Sequence, residues 1–233
     1  MSEKHLSSQF DSDLNSVSTQ LMEMGGLVEI QIQKAIQALA QFSVPLAEEV
    51  MKAEDRVDMM EVAIDHALTA IIARRQPAAR DLRLLLAISK ITTNLERVGD
   101  EANKIARQVK SIVESSDARK MPIGDLRLAS HLAVTLIRRA LDAFARLDLD
   151  AVVSILKEDD QIDQEFKGFT RKLVTYMMED PRTIGDSLNL LFLAKAIERI
   201  GDHAKNIAEF IIYIVKGTDV RHSSLAHVES IVH

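Results

Sequence analysis

Cysteine and tryptophan are absent from the 233 residues, aromatics amount to 4%, and only four prolines and eight glycines interrupt the chain. Without cysteine there is no disulfide framework, no thiolate metal site and no cysteine nucleophile, so any metal chemistry must use oxygen or imidazole donors. The scarcity of helix breakers, with abundant Ala, Leu, Ile, Glu, Lys, Arg, Gln and Met, predicts long helices. No apolar run approaches the roughly 18 residues of a membrane span; "FIIYIV" at 210–215 covers under two helical turns. The polar start "MSEKHLSSQFDSDLNS" lacks the basic and apolar regions of a signal peptide, which predicts a cytoplasmic protein. A net charge of −6 speaks against nucleic acid as a partner, since phosphate-backbone binding needs a clustered basic face. A G-x-S-x-G elbow and a Gly-rich phosphate loop are both missing, which leaves nucleophilic hydrolysis and nucleotide chemistry without support.

What the chain does contain is a heptad rhythm, present twice. Leu95, Val98, Ala102, Ile105, Val109 and Ile112 alternate spacings of three and four, and Ile197, Ile200, Ala204, Ile207, Ile211 and Ile214 repeat them. Val50, Ala53, Val57, Met60, Ile64, Ala67 and Ile71 form a third seam between Pro45 and Pro77. Aligned on these seams, "GLVEIQIQKAIQAL" from Gly26 meets "HLAVTLIRRALDAF" from His131 at an offset of 105 residues. "AEDRVD" meets "EDDQID" at the same offset, and after Pro77 and Pro181 the offset falls to 102. The reading is all-α: two tandem antiparallel three-helix bundles related by internal duplication, at 8–115 and 121–217, with a C-terminal tail at 218–233. The break falls at 115–124, and the tail is expected to be partly disordered with room for one docked turn.

The duplication carries acidic pairs at helical spacing. With Leu95 and Val98 on the seam, Glu96, Asp100 and Asn103 fall on a stripe facing away from it, and Glu198 with Asp202 repeats the pattern. The middle helices supply Glu54 with Asp58 and Asp159 with Asp163. Like charges four apart on a helix repel by a few tenths of a kcal/mol, and a bound cation relieves this. Four carboxylates brought together on each bundle would suit iron, manganese, magnesium or zinc, and bridging carboxylates would permit a multinuclear site. Chance alone supplies about five acidic pairs at this spacing in such a chain, so one pair signifies little. Their matched placement signifies more: between 95–106 and 197–208, seven of twelve positions are identical. Gly99 and Gly201 lie within this segment, and a helix-interior glycine costs about 1 kcal/mol, so close packing or a close ligand is expected there. Arg97 and Arg199 are either partners of the carboxylates or surface cations.

"LERVGDEANKIA", "IERIGDHAKNIA", "EDRVD" and "DDQID" together resemble the PhoU family of bacterial phosphate-signalling accessory proteins, over roughly Phe10 to Lys216. The resemblance implies two three-helix bundles with surface metal clusters on E/D-x-x-x-D motifs. Carried over residue by residue, the motifs are Glu54, Asp58, Glu96 and Asp100, then Asp159, Asp163, Glu198 and Asp202. It further implies a non-enzymatic adaptor that restrains the phosphate-starvation response and modulates phosphate uptake. Such an adaptor would link the ATPase subunit of the phosphate ABC transporter (PstB) to the sensor histidine kinase (PhoR), act as a homodimer, and reach the membrane only through its partners. The competing readings are a carboxylate-bridged metalloenzyme and a metal-free scaffold. Against the enzyme, none of the seven histidines follows a glutamate by three residues, the spacing that di-iron bundles use. Glu101 after Asp100 but His203 after Asp202, and Phe166 and Thr170 where the first half has Glu61 and Asp65, predict two sites that differ.

Overall fold

The computed structural model describes residues 8–77, 79–114 and 123–233, and the described residues form seven α-helices and no strand. Helices α1 (Ser8–Gln41), α2 (Val44–Arg75) and α3 (Ala79–Glu114) make the first bundle. Helices α4 (Arg127–Arg146), α5 (Leu149–Glu179) and α6 (Ile184–Lys216) make the second, followed by α7 (Leu225–Val232). The expected break at 115–124 lies, up to residue 122, outside the described residues.

The duplication is visible in backbone geometry. Between α1 and α2 the chain turns on Phe42 and Ser43, and between α4 and α5 on Leu147 and Asp148, at the same offset. Phe42 (φ 51°) and Leu147 (φ 52°) both take the left-handed conformation that ends a helix, at a cost of roughly 1 kcal/mol for a non-glycine residue. The next N–H then reaches back to a helix carbonyl at 3.0 Å in each copy, Ser43 to Ala38 and Asp148 to Ala143. Ser43 and Asp148 also cap the following helix, accepting from Leu46 N–H at 3.5 Å and Ala151 N–H at 3.0 Å. The second turns differ: Gln76 (φ 47°) leads into Pro77, whereas Pro181 opens a short 3-10 turn capped by Asp180. This is where the sequence offset falls from 105 to 102.

Both heptad seams on α3 and α6 are wholly buried. These two helices also pack on each other, and each therefore has a second covered face. Their direction follows from the pairs across the contact: Asn94 meets His203 and Asn206, whereas the later Glu101 meets the earlier Arg199, so α3 and α6 run antiparallel. Beside them α1 meets α4, with Gly25 against Leu141 and an ion pair between Glu29 and Arg138. The apolar core is consequently continuous across both halves.

The C-terminal stretch read as a tail returns to the second bundle. Ser224 caps α7, Val220, Val228 and Val232 are buried, Lys157 pairs with Glu229 at 2.6 Å, and Lys216 Nζ donates to the Val232 carbonyl at 3.0 Å. A two-turn helix docks where one turn was expected, because Val228 and Val232 give it a face to bury and Val220 anchors the segment before it.

Adjacent glycines test the α1–α4 contact. A Cβ on Gly26 meets nothing within 4 Å, whereas one on Gly25 falls 2.8 Å from both Leu141 methyl groups. Gly26→Ala is expected to stabilise the fold by about 0.5–1 kcal/mol through helix propensity, and Gly25→Ala to destabilise it by about 1–3 kcal/mol through overpacking. Urea denaturation of the two variants measures both signs.

Candidate functional site

The eight carboxylates fall into two groups, one on α2 and α3 and one on α5 and α6, as the spacing predicted. In the first group Asp58, Glu96 and Asp100 face one another, joined by Glu61. Burial, followed by the charges of Asp100, Glu61 and Asp58, pushes the Glu96 carboxyl up to about 7. Burial and the charges of Asp100 and Asp55 likewise raise Asp58. None of Asp58, Glu61, Glu96 and Asp100 has a cationic partner within ion-pair distance among the described residues. Glu54 is turned aside. It accepts a short hydrogen bond from Asn103 Nδ2 and lies 3.6 Å from the Arg107 guanidinium.

In the second group burial, then the charges of Glu198, Asp159 and Asp163, push Asp202 up to about 6. Here lysines intervene. Lys205 Nζ lies 3.2 Å from Asp159, Lys195 Nζ 2.6 Å from Glu198 and Lys167 Nζ 3.8 Å from Asp163. At the corresponding positions the first half has Asn103, Thr93 and Val62. One group is thus neutralised from within and the other is not. Position 103/205 explains much of this: Asn103 bonds Glu54 where Lys205 pairs with the equivalent Asp159.

Asn103, expected on an exposed stripe, is buried, and its Oδ1 has no hydrogen-bond partner. Gly99 and Gly201 are buried as well, and each admits a neighbouring helix. A Cβ on Gly99 would stand 3.1 Å from the buried Gln31 Oε1, and one on Gly201 would stand 2.8 Å from Ile162 and 3.1 Å from Asp159 Oδ1. Close packing accounts for both glycines. The donors of the first group are all hard oxygens, with the Asn103 oxygen beside them, which fits a divalent cation by type and charge. Among the described residues no three Asp, Glu or His groups converge on one point at ligand distance, so a closed coordination sphere requires side-chain rotation.

The antiparallel α3–α6 contact does something the spacing did not foretell: it sets the two cassettes face to face. A cleft of about 740 Å³ is lined by Arg97, Asp100, Glu101 and Lys104 from α3 and by their counterparts Arg199, Asp202, His203 and Asn206 from α6. Both acidic groups therefore border one cavity, through Asp100 and Asp202. The residue after each aspartate occupies the seam. Glu101, 4% exposed, holds Lys104 at 2.9 Å and Arg199 of the other bundle at 3.2 Å. Arg199 is accordingly a clamp between bundles, whereas its counterpart Arg97 has no ion-pair partner among the described residues, because His203 stands where Glu101 would be.

His203 is held neutral, its pKa lowered to about 4 by burial first and then by the Arg97 charge, with Glu101 opposing and Arg199 and Lys104 adding smaller effects. Asn94 fixes its tautomer. The Asn94 amide donates Nδ2 to the Lys90 carbonyl at 2.8 Å, so its Oδ1 accepts from Asn206 Nδ2 at 3.2 Å and from His203 Nδ1 at 3.0 Å. The other imidazole nitrogen, Nε2, then keeps its lone pair. Glu101, Arg199 and the Asn94–His203–Asn206 network were beyond hydrophobic counting, although all sit at spacings of three and four on a second, polar seam.

Comparison with known proteins gives a consistent result. The family model described as "PhoU domain" matches twice, at residues 21–109 and 126–211. A "Phosphate-specific transport system accessory protein PhoU homolog" from a Burkholderia species is 51% identical over 225 residues, 96% of each chain. The "Phosphate-specific transport system accessory protein PhoU" of Escherichia coli K12 is 48% identical over 219 residues, covering 94% of this chain and 90% of its own. Among solved structures, PhoU from Pseudomonas aeruginosa superposes with a TM-score of 0.86 at 44% identity, over 90% of this chain and all of the other (100%). The phosphate transport system regulatory protein PhoU from Streptococcus pneumoniae reaches a TM-score of 0.83 at 26% identity, covering 91% of this chain and 99% of its own.

Glu209, at the far wall of the cleft, offers a pH readout. It is 8% exposed, and burial, opposed by Lys205, pushes its carboxyl up to about 7. A carboxyl with a raised pKa binds more protons folded than unfolded, so its contribution falls as pH rises from about 4.5 to about 7 and stays low above that. Glu209→Gln is expected to raise stability at pH 8 by about 1–2 kcal/mol, allowing for solvent screening, and to leave it unchanged at pH 4.5. Thermal melts of both proteins across this range check the slope.

Proposed function

Because this chain belongs to the PhoU family, and its matched relatives are named accessory and regulatory proteins of phosphate transport systems, we propose that it is a non-catalytic adaptor serving such a system. It acts in the cytoplasm as a negative regulator of the phosphate-starvation response. It does so by linking PstB, the ATPase subunit of the phosphate transporter, to the sensor kinase PhoR, and it modulates phosphate uptake. No helix among the described residues is long and apolar enough to cross a membrane, which accords with contact to the membrane through those partners. The working unit is a homodimer.

Metal binding belongs to the same proposal, and one observation carries it: Asp58, Glu61, Glu96 and Asp100 lie together with no cation in ion-pair contact among the described residues, Arg97 acting only at longer range, while the second group is partly neutralised by three lysines. Asp58, Glu96 and Asp100 would hold the ion in the first half, assisted by Glu61 and, after rotation, Glu54. Asp159, Asp163, Glu198 and Asp202 would hold it in the second. A divalent or trivalent cation there supplies charge neutralisation and crosslinks α2 to α3 and α5 to α6. Iron, manganese, magnesium and zinc all accept such oxygen donors. The protein's own part is to hold the carboxylates close, with Glu96 and Asp100 half-buried, so that the site gains most from the cation when they are ionised.

The two groups are not equivalent in this reading. Elemental analysis of protein purified without chelator is expected to find metal that Asp100→Ala removes in larger part than Asp202→Ala, because only the second group retains internal countercharge. Added Mn²⁺ or Mg²⁺ is expected to raise the melting temperature more at pH 8 than at pH 5, and this gain should shrink in Asp100→Ala. Metal-free protein with no response to these cations sinks the metal reading. The adaptor reading fails if cells lacking the chain keep phosphate-starvation genes silent at high phosphate.

A further inference from the structure

One face of α6 is left without a covering. Ile184, Leu188 and Phe192 follow one another at four-residue spacing, all exposed, and Phe192 is 64% exposed. The stripe is about 12 Å long at 1.5 Å per residue. It leads into a groove of about 480 Å³ between α3 and α6, where Ile105, Leu193 and Ala196 form an apolar floor. Four cations rim it: Lys104, Arg107, Lys195 and Arg199.

The rim cations have carboxylate partners, but the arrangement is layered. Their side chains are between 42% and 63% exposed, whereas the partner carboxylates Glu101, Glu198 and Glu54 lie beneath at 6%, 11% and 23%. Water therefore meets a positive rim around an apolar trough, on a chain whose net charge is −6. The duplication supplies an internal comparison. At the positions matching the stripe the first half has Leu82, Leu86 and Lys90, so the aromatic is replaced by a charge. The matching part of the α3–α6 seam is polar: it opens into the 740 Å³ cleft beside the Asn94–His203–Asn206 network, and its one aromatic, Phe210, is buried with the Arg221 guanidinium 5.6 Å over the ring. Only the α6 side is both open and aromatic among the described residues.

We infer that this groove docks an acidic amphipathic helix of a partner protein. The partner's apolar side chains, spaced three and four apart, lie along Ile184, Leu188 and Phe192, and its carboxylates meet Lys104, Arg107, Lys195 and Arg199. A helix fits better than a bilayer, since the trough is concave and a membrane surface is flat. An exposed Phe in a groove is the kind of anchor that dominates interface energy, and the positive rim adds orientation and a salt-dependent association rate. The inference rests on the adaptor reading and assigns it a surface.

The test measures binding of full-length protein to purified PstB and to the cytoplasmic region of PhoR by biolayer interferometry. Variants are Phe192→Asp, Lys104→Glu and, as an exposed apolar control on α2, Met59→Asp. Phe192→Asp should weaken at least one partner by 30-fold or more, Lys104→Glu by 3- to 10-fold with a flatter salt dependence, and Met59→Asp by less than twofold. The melting temperature of Phe192→Asp should match wild type, because that side chain is exposed, whereas Lys104→Glu takes a cation from the buried Glu101 and should melt lower, so its affinity is read well below its own transition. Wild-type affinity in Phe192→Asp for both partners overturns the inference alone. Wild-type protein binding neither partner overturns it together with the adaptor reading. A dimer that becomes monomeric in Phe192→Asp with partner binding intact identifies a second copy as the occupant. Loss of phosphatidylglycerol vesicle binding with partner binding intact identifies a lipid surface. Either result also overturns it.

Discussion

The antiparallel packing of α3 on α6 is the contact on which the rest of the molecule depends. Each helix already buries one seam within its own bundle, and this contact gives each a second covered face. The result is a single core in place of two separate ones. Alongside apolar packing it carries two polar clusters: the Glu101–Arg199 pair, reinforced by Lys104, and the Asn94–His203–Asn206 network. Desolvated polar contacts of this kind contribute little net stability compared with apolar ones, but they fix register, since a shift by one turn would part the buried Glu101 from Arg199.

The same contact turns a duplicated motif into one site. Asp100 and Asp202 belong to different bundles and different acidic groups, yet both face the 740 Å³ cleft. Arg97 and Arg199 border the same space. The asymmetry between copies then acquires a meaning. Lysines at 167, 195 and 205 partly neutralise the second group, while Val62, Thr93 and Asn103 at the matching positions give the first group no such countercharge. The Phe192–Lys90 difference works in parallel on the outer face, leaving one groove open. Duplication supplied two equivalent scaffolds, and a handful of substitutions gave them different electrostatic tasks.

Much of this was legible in the residues. The seams at 95–112 and 197–214 are buried as their spacing requires, the turns at Phe42–Ser43 and Leu147–Asp148 repeat at the predicted offset, and the acidic pairs of neighbouring helices come together. Asn103 was misplaced on an open face, because a seam counted from apolar residues reports only apolar burial, whereas the close packing expected at Gly99 and Gly201 is found. The polar seam through Asn94, Arg97, Glu101 and Lys104 has the same three-and-four rhythm, but charged residues at that spacing read as solvated surface until a partner helix is known. Glu54 shows a further limit: its position on the helix is right, and its orientation is decided by Asn103 and Arg107 on the helix opposite.

By itself, then, the sequence determined the helices, their caps, the duplication and which side of each helix is apolar, since all of these arise from interactions within a few residues along the chain or from a period along one helix. Tertiary structure alone decided that the two bundles meet through α3 and α6, that both cassettes line one cleft, and that one groove stays uncovered. Those properties depend on distances between residues about a hundred positions apart, which no local periodicity encodes.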